Sequence, residues 1–184
     1  MKSEKEKSKI ILHTCCAVCG AFLAEKLKEN FEPAIFFYNP NIWPKEEYNK
    51  RKESAQELAR IYNLKFIEGD HEHEKWLGAV KGFEKEPEDG KRCEICFKMR
   101  LSKAAELAKT ERIEYFATTL SISPYKNEKI VNEIGESIRN SSGIKFLKLE
   151  DICDKKEAWQ KTRQLSKEYN FYHQNYCGCE FSKK

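Results

Sequence analysis

Short apolar runs alternate with amphipathic stretches from one end of the chain to the other. Residues 9–13 (Lys-Ile-Ile-Leu-His), 34–38 (Ala-Ile-Phe-Phe-Tyr), 64–67, 115–118 and 145–149 are runs of the length that forms buried strands. Between them apolar positions recur every three or four residues. Phe22, Leu23 and Leu27 share one face of a predicted helix over 17–29. Ala55, Leu58, Ala59 and Tyr62 do so over 45–62, and Phe97, Leu101, Ala104, Ala105 and Ala108 over 94–109. Further helices are predicted over 72–80, 128–138 and 155–169. Asn39-Pro40-Asn41 breaks the chain, residues 82–90 and 121–127 read as loops, and 170–184 has no clear period.

Strands alternating with helices favour parallel pairing through right-handed crossovers. The predicted fold is α/β: a Rossmann-like three-layer sandwich around a mainly parallel sheet of about five strands. Residues 1–8 are expected to form a flexible tail, and 9–184 a single α/β domain. There is no internal repeat, low-complexity tract or linker. Ligands of such sheets bind beyond the C-terminal strand ends. That rule brings residues 13–20, 39–44 and 118–127 together.

Charge narrows the class only slightly. Residues 1–90 carry 15 basic and 17 acidic side chains, net −2, and residues 91–184 carry 19 and 13, net +6. A mildly basic half suits a polyanion such as RNA, and equally an ordinary solvated surface. No apolar run approaches the roughly 18 residues of a membrane span. The charged N-terminus leads into only Ile10, Ile11 and Leu12, which is no signal peptide, so a cytoplasmic protein is expected.

The cysteines change the picture most. Seven of the eight fall into three groups: Cys15-Cys16-Ala-Val-Cys19, Cys93-Glu-Ile-Cys96 and Cys177-Gly-Cys179. In a reducing compartment such groups point to metal or redox chemistry rather than disulfides. The first group follows the first strand, at the expected ligand edge. The second opens a helix, where residues three apart share a face and the dipole favours thiolates. Gly178 permits a sharp turn between the third pair. A structural zinc takes four ligands. Seven thiols are too many for one such site and too few for two. A 4Fe-4S cluster takes four cysteines, leaving three for a second, incompletely ligated metal. Adjacent Cys15 and Cys16 point apart, which also suits two centres. Iron–sulfur, zinc and dithiol redox chemistry all remain open on spacing alone. Cys153 stands apart as a bystander. His13, His71, His73 and His173 carry no motif, and no glycine-rich phosphate loop follows the first strand.

The other ligand-edge loops are aromatic and polar. Tyr38, Asn39 and Asn41 are followed by Tyr48, Arg51 and Lys52. Thr119, Ser123, Tyr125 and Lys126 lie in another loop, and Tyr172, Gln174, Asn175 and Tyr176 precede the last cysteines. Such residues can stack on an unstacked base and bond its edge. Turn formation and loop anchoring explain the same residues without a ligand.

Taken together, these segments resemble the epoxyqueuosine reductase family of the QueH type. The similarity lies in Leu-His-Thr-Cys-Cys-Ala-Val-Cys (12–19), Phe-Tyr-Asn-Pro-Asn-Ile (37–42), Glu-Tyr-Asn-Lys-Arg-Lys (47–52), Arg-Cys-Glu-Ile-Cys-Phe-Lys-Met-Arg-Leu (92–101), Ala-Thr-Thr-Leu-Ser-Ile-Ser-Pro-Tyr-Lys-Asn (117–127) and Tyr-His-Gln-Asn-Tyr-Cys-Gly-Cys (172–179). The chain departs from the family pattern at Val18, where the family has Pro, and at His173, where it commonly has Arg. The resemblance implies reduction of epoxyqueuosine to queuosine at the anticodon wobble position of tRNA. It implies a 4Fe-4S cluster beside one additional iron ion, without cobalamin, recharged by an external electron donor. Cys15, Cys16, Cys93, Cys96, Cys177 and Cys179 become cluster candidates, and these with Cys19 the metal ligands. Tyr125, Lys126 and Tyr176 are candidate proton donors. Asn39, Asn41, Tyr48, Arg51, Arg92, Arg100, Thr119, Ser123 and Gln174 are candidate substrate contacts, with Arg51, Lys52, Arg92, Lys98, Arg100 and Lys126 available to phosphates. A tRNA-thiolating iron–sulfur enzyme, a non-enzymatic zinc-stabilised RNA-binding module and a cysteine-based reductase are the rival readings.

Overall fold

The computed structural model describes residues 7–182. Of the expected tail, residues 1–6 lie outside the described residues, and Ser8 already pairs with Phe31. Five strands, β1 (Ser8–His13), β2 (Phe31–Phe37), β3 (Lys65–Glu68), β4 (Tyr115–Thr118) and β5 (Lys145–Phe146), form one sheet in the order β3-β2-β1-β4-β5. Every pairing is parallel. Six α-helices connect or follow them: α1 (Ala17–Asn30), α2 (Lys45–Ile61), α3 (His73–Ala79), α4 (Lys91–Thr110), α5 (Glu128–Ser142) and α6 (Lys155–Glu168).

The period-two rule of strands sorts the core into two layers. On β1, Ile10 and Leu12 face Phe22, Leu23 and Leu27 of α1, Leu58 of α2 and Ala158 of α6. Ile11 faces the other way, against Phe97, Leu101 and Ala105 of α4 and Val131 and Ile138 of α5. Both sheet faces are therefore covered, which is why its strands read as continuous apolar runs.

Several boundaries differ from the pattern-based expectation. β2 starts at Phe31, because Pro33 costs nothing there: β3 joins β2 only from Ala34 onward. β5 is a stub, since Asp151 accepts from the Lys148 backbone N–H at 2.9 Å and turns the chain into a 3-10 turn over Leu149–Asp151. Thr119–Ile122 is likewise a 3-10 turn, capped by the Thr118 hydroxyl accepting from the Leu120 N–H. Helix α5 lies so close to the sheet that a Cβ at Gly135 would stand 2.2 Å from the Phe146 ring.

The strand order reverses between β1 and β4. From β3 the chain passes through α3 and α4 to reach β4 on the far side of β1. Side chains leaving the C-terminal ends of β1 and β4 thus diverge around a crevice.

Candidate metal centre

A cavity of about 680 Å³ opens at that crevice. It is lined by Cys15, Cys19 and Cys177, by Arg51, Arg100 and Lys126, and by Ser123, Tyr125, Gln174 and Tyr176. Of the three expected loops, 13–20 and 118–127 line it, while 39–44 stays behind the wall, with Asn39 accepting from Arg100 and the Trp43 N–H donating to Gly178. A larger, open groove of about 760 Å³ runs along α5 beside Lys129, Glu133 and Lys148. It holds no thiol and no aromatic ring, and its alternating charges read as a solvated helix face.

The thiols divide into a group of three and a group of four. Cys15 leaves the end of β1, Cys16 is the cap residue of α1, and Cys19 lies in its first turn. The Cys15 and Cys16 sulfurs are 3.9 Å apart, so these neighbours converge instead of pointing apart as expected, because the chain leaves the extended strand here and turns into α1. Donation from Cys16 and Cys19 holds the Cys15 thiol well below its usual range despite burial, with Arg100 and Thr119 helping. The same sharing pushes Cys16 up to about 12 and Cys19 upward too. Ionisation in this group is thus favoured at Cys15 over its two donors. Thr119 holds that residue from both sides, with its Oγ1 3.2 Å from the Cys15 N and 3.3 Å from its Sγ.

The second group is built from α4 and the C-terminal arm. Cys93 and Cys96 are one turn apart, and Arg100 follows one turn later on the same face. Cys96 and Cys179 pack together with Trp76, and Cys177 adjoins them. Burial pushes Cys93 up to about 11 and Cys179 up to about 12, with the facing Cys177 adding to both. Burial also raises Cys96, while Arg100 opposes it. All eight cysteines are free thiols. Among the described residues no three His, Cys, Asp or Glu side chains converge on one point as they do around a bound metal ion. Cys15, Cys19 and Cys177 share a pocket rather than a preformed cage.

The arm carrying Cys177 and Cys179 is fastened by Arg51. Its Nε donates to Glu47 at 2.7 Å, and its two terminal nitrogens donate to the carbonyls of Cys177 and Tyr176 at 3.0 Å each. The Tyr176 ring lies over the guanidinium. Gly178 adopts φ +102 and would place a Cβ 3.0 Å from both Arg51 and Ile42, so no other residue fits this turn without strain. The Trp43 N–H completes the clasp by donating to the Gly178 carbonyl.

Two cations here lack carboxylate partners among the described residues. Arg100 is fully buried and donates to the Asn39 Oδ1 at 2.6 Å and toward the Cys96 Sγ at 3.9 Å. Lys126 points its Nζ at the Cys177 Sγ, 3.4 Å away. Burial works against the Lys126 charge, yet Cys177, Cys15 and Cys96 raise its pKa above the lysine norm. A buried cation needs an anionic partner, and the groups these two nitrogens are aimed at are thiol sulfurs. The donor set thus suits metal bound as thiolate. His13 stays neutral beside these groups: burial and Arg100 lower it to about 3. Its Nε2–H donates to the Tyr38 carbonyl, and its Nδ1 accepts from the Thr118 hydroxyl at 2.9 Å.

The expected substrate contacts separate into two sets. Arg51, Arg100, Ser123, Gln174 and the three candidate proton donors line the cavity. Of these donors, Tyr125 is 75% exposed, Lys126 faces Cys177, and Tyr176 donates its hydroxyl to the Trp43 carbonyl. The Gln174 Oε1 is buried without a partner, an acceptor left open at the cavity. Asn39, Asn41, Tyr48, Arg92 and Thr119 are not part of the cavity wall. Asn39 holds the Thr14 carbonyl and Arg100. Asn41 is buried with both amide atoms unpartnered. Tyr48 stacks on His71 and donates to Glu68. Arg92 is spent on the carbonyls of Glu84 and Glu86, at 2.7 and 2.6 Å. Its burial and those partners replace the expected phosphate contact with a brace for the 82–90 loop. Arg100 is withdrawn from solvent in the same way. Trp159, His173 and Asn175 also line the cavity. Trp159 could be found only by knowing that α6 packs on α1.

Residues 10–184 match the family model described as Epoxyqueuosine reductase QueH. A relative named Epoxyqueuosine reductase QueH from Staphylococcus epidermidis is 35% identical over 185 residues, covering 96% of this chain and 77% of its own length. One from Acinetobacter baylyi is 38% identical, over 99% of this chain and 84% of its own length. Among solved structures, the U34-tRNA thiolase NcsA from Methanococcus maripaludis with its 4Fe-4S cluster is 13% identical at a TM-score of 0.46, over 90% of this chain and 68% of that one.

Proposed function

The chain belongs to the epoxyqueuosine reductase QueH family, and from that premise we propose that its cavity deoxygenates epoxyqueuosine in the anticodon loop of tRNA with a 4Fe-4S cluster and one further iron. The observation that carries this reading is a cavity lined by Cys15, Cys19 and Cys177, the first two from the β1–α1 turn with Cys16 and the third from the arm that packs Cys179 against Cys96. Cys93, Cys96, Cys177 and Cys179 match the four ligands of a cluster. Cys15, Cys16 and Cys19 are left for an iron with an open position, which moves Cys15 and Cys16 out of the cluster set. When bound, the metals would supply electrons and Lewis-acid polarisation of the epoxide oxygen.

The reaction consumes two electrons and two protons: both C–O bonds of the epoxide break, a carbon–carbon double bond forms, and the oxygen leaves as water. The electrons come from an external donor. Protons must be delivered within the cavity. Lys126 is the best-placed donor, since its ammonium is held charged at the Cys177 sulfur and faces the cavity. Tyr176 has its hydroxyl engaged by the Trp43 carbonyl, and its ring lies on Arg51, so it shapes the wall. Tyr125 is exposed at the cavity rim and suits stacking on an extruded base, which a loop nucleotide supplies at little cost. The open Gln174 Oε1 can accept from a substrate hydroxyl or base N–H. With Arg92 and Arg100 buried and Lys52 paired with Glu68 at 3.2 Å, Lys126 and the exposed Lys98 remain to meet phosphates.

The test is anaerobic purification with iron and acid-labile sulfide quantified per chain. It is paired with nucleoside mass spectrometry of epoxyqueuosine-containing tRNA after incubation with reductant. Labile sulfide, iron in excess of four per chain and conversion to queuosine are expected from the four-plus-three division. Stoichiometric zinc without labile sulfide refutes it.

A further inference from the structure

We propose that Arg100 is the fixed counter-charge shared by the two thiol groups, a positioning residue that sets the reduction potential of the centre held by Cys93, Cys96, Cys177 and Cys179. The inference rests on the metal reading above. Its starting point is a buried cation in an unusual setting. Arg100 is 1% exposed, and no carboxylate among the described residues is within ion-pair reach of it. A guanidinium cannot shed its proton in a protein, so its charge must be met by anions nearby. One terminal nitrogen is aimed at the Cys96 sulfur, 3.9 Å away, and the guanidinium lines the cavity with Cys15, Cys19 and Cys177. It therefore adjoins members of both thiol groups.

The geometry fixes it there. Asn39 Oδ1 accepts from one terminal nitrogen at 2.6 Å, and the Asn39 amide is itself anchored to the Thr14 carbonyl at 3.0 Å. The other terminal nitrogen points at the Cys96 sulfur. That sulfur is i−4 to Arg100 on α4, so the helix itself sets the spacing. His13 is 3.4 Å from the guanidinium and neutral, so it adds no opposing charge. A cation and an N–H aimed at a ligating sulfur favour the reduced, more negative state, and burial strengthens the effect. Arg100 and Lys126 both line the cavity, but Lys126 is only half-buried and can meet substrate, whereas Arg100 is almost fully enclosed.

The experiment is a spectroelectrochemical titration, read by EPR, of anaerobically loaded wild type, Arg100→Gln and Arg100→Lys. Labile sulfide is measured first. Its absence from the wild type defeats the metal reading and this inference together. With a cluster present, Arg100→Gln should weaken the reduced state at least tenfold, a shift of about 59 mV or more to the negative for one electron. Arg100→Lys keeps the charge and should restore most of it. Should Arg100→Gln fail to fold or load, Asn39→Asp decides. It sets a carboxylate against the intact guanidinium and should lower the potential in the same direction. Potentials equal to wild type in the loaded variants overturn the inference while leaving the metal reading intact. So does a shallower salt dependence of tRNA binding in Arg100→Gln at an unchanged potential, which would make the residue a phosphate contact after all.

Discussion

Replacing Arg51 by Met should loosen the C-terminal arm and, through it, half of the four-thiol group. Arg51 makes three charge-assisted hydrogen bonds, one to Glu47 and two to the carbonyls of Tyr176 and Cys177. Breaking a buried ion pair costs about 3–5 kcal/mol, because the remaining charge is left without its partner. Glu47 keeps a second donor, the Tyr172 hydroxyl at 2.7 Å, and Met fills part of the lost volume. Both place the loss near the low end, about 3 kcal/mol. With a urea slope of about 2 kcal/mol/M, the midpoint of the reduced, metal-free chain should fall by about 1.5 M. Circular dichroism reads that midpoint. Mass-resolved alkylation then reports where the loss lies: Cys177 and Cys179 should react much faster than in wild type, while Cys16 and Cys19 on α1 keep their rate. A midpoint within about 0.3 M of wild type, with unchanged labelling of Cys177, would refute the claim that Arg51 clasps the arm.

Gly135→Ala should cost about 2 kcal/mol or more, since its Cβ would stand 2.2 Å from the Phe146 ring. Phe146→Leu in the same chain should recover part of that midpoint, and no recovery would place the strain elsewhere. Cys153→Ser should leave iron, labile sulfide and turnover at wild-type levels, because Cys153 packs on the α1 and α6 side rather than in the cavity. A bleached Cys153→Ser protein would break the four-plus-three division. His71 is lowered by burial, so it stays neutral when folded while the unfolded chain takes a proton near pH 6.5. Stability should therefore fall as pH drops below that value, until the folded ring also titrates. His71→Gln should flatten this part of the profile of urea midpoints between pH 7.5 and 5.5, and an identical slope would refute it.

Much of the fold was legible because burial on both sheet faces leaves a coarse signal. The runs at 9–13 and 34–38 could be nothing but strands once helical spacing set in at Phe22 and Ala55. What stayed hidden was local polar chemistry. Asp151 turns the chain at Lys148 and truncates β5, and the Thr118 hydroxyl opens a 3-10 turn. Each depends on one side chain finding one N–H, which no apolar period records. The cysteine groups were visible as spacings, but their partition was not. Cys177 and Cys179 lie 81 and 83 positions beyond Cys96, and the arm is brought there by Arg51 and Gly178 together with Glu180 on His73 and Phe181 on Trp76 and Arg92.

The arginines show why residue type could not settle the substrate contacts. Arg51, Arg92 and Arg100 sit in motifs that suggest anion binding, and each has a guanidinium fit for phosphate. What decides their role is whether local geometry already satisfies the donors. Arg92 meets a ring of carbonyls formed by the turn at 82–90. Arg51 meets two carbonyls of the cysteine arm and a carboxylate one turn away on its own helix. Arg51 uses all its donor nitrogens in this way, whereas Arg92 uses Nη1 and leaves its Nε buried without a partner; exposing either would break the segment it holds. Arg100 is different in kind. One terminal nitrogen is satisfied by Asn39 and Nε lies 3.4 Å from the His13 ring, while the other terminal nitrogen meets sulfur. A neutral thiol is a poor match for a buried full charge, whereas a metal-bound thiolate is a good one. The arginine that lacks a carbonyl or carboxylate cage is therefore the one whose setting demands that the neighbouring thiols carry charge.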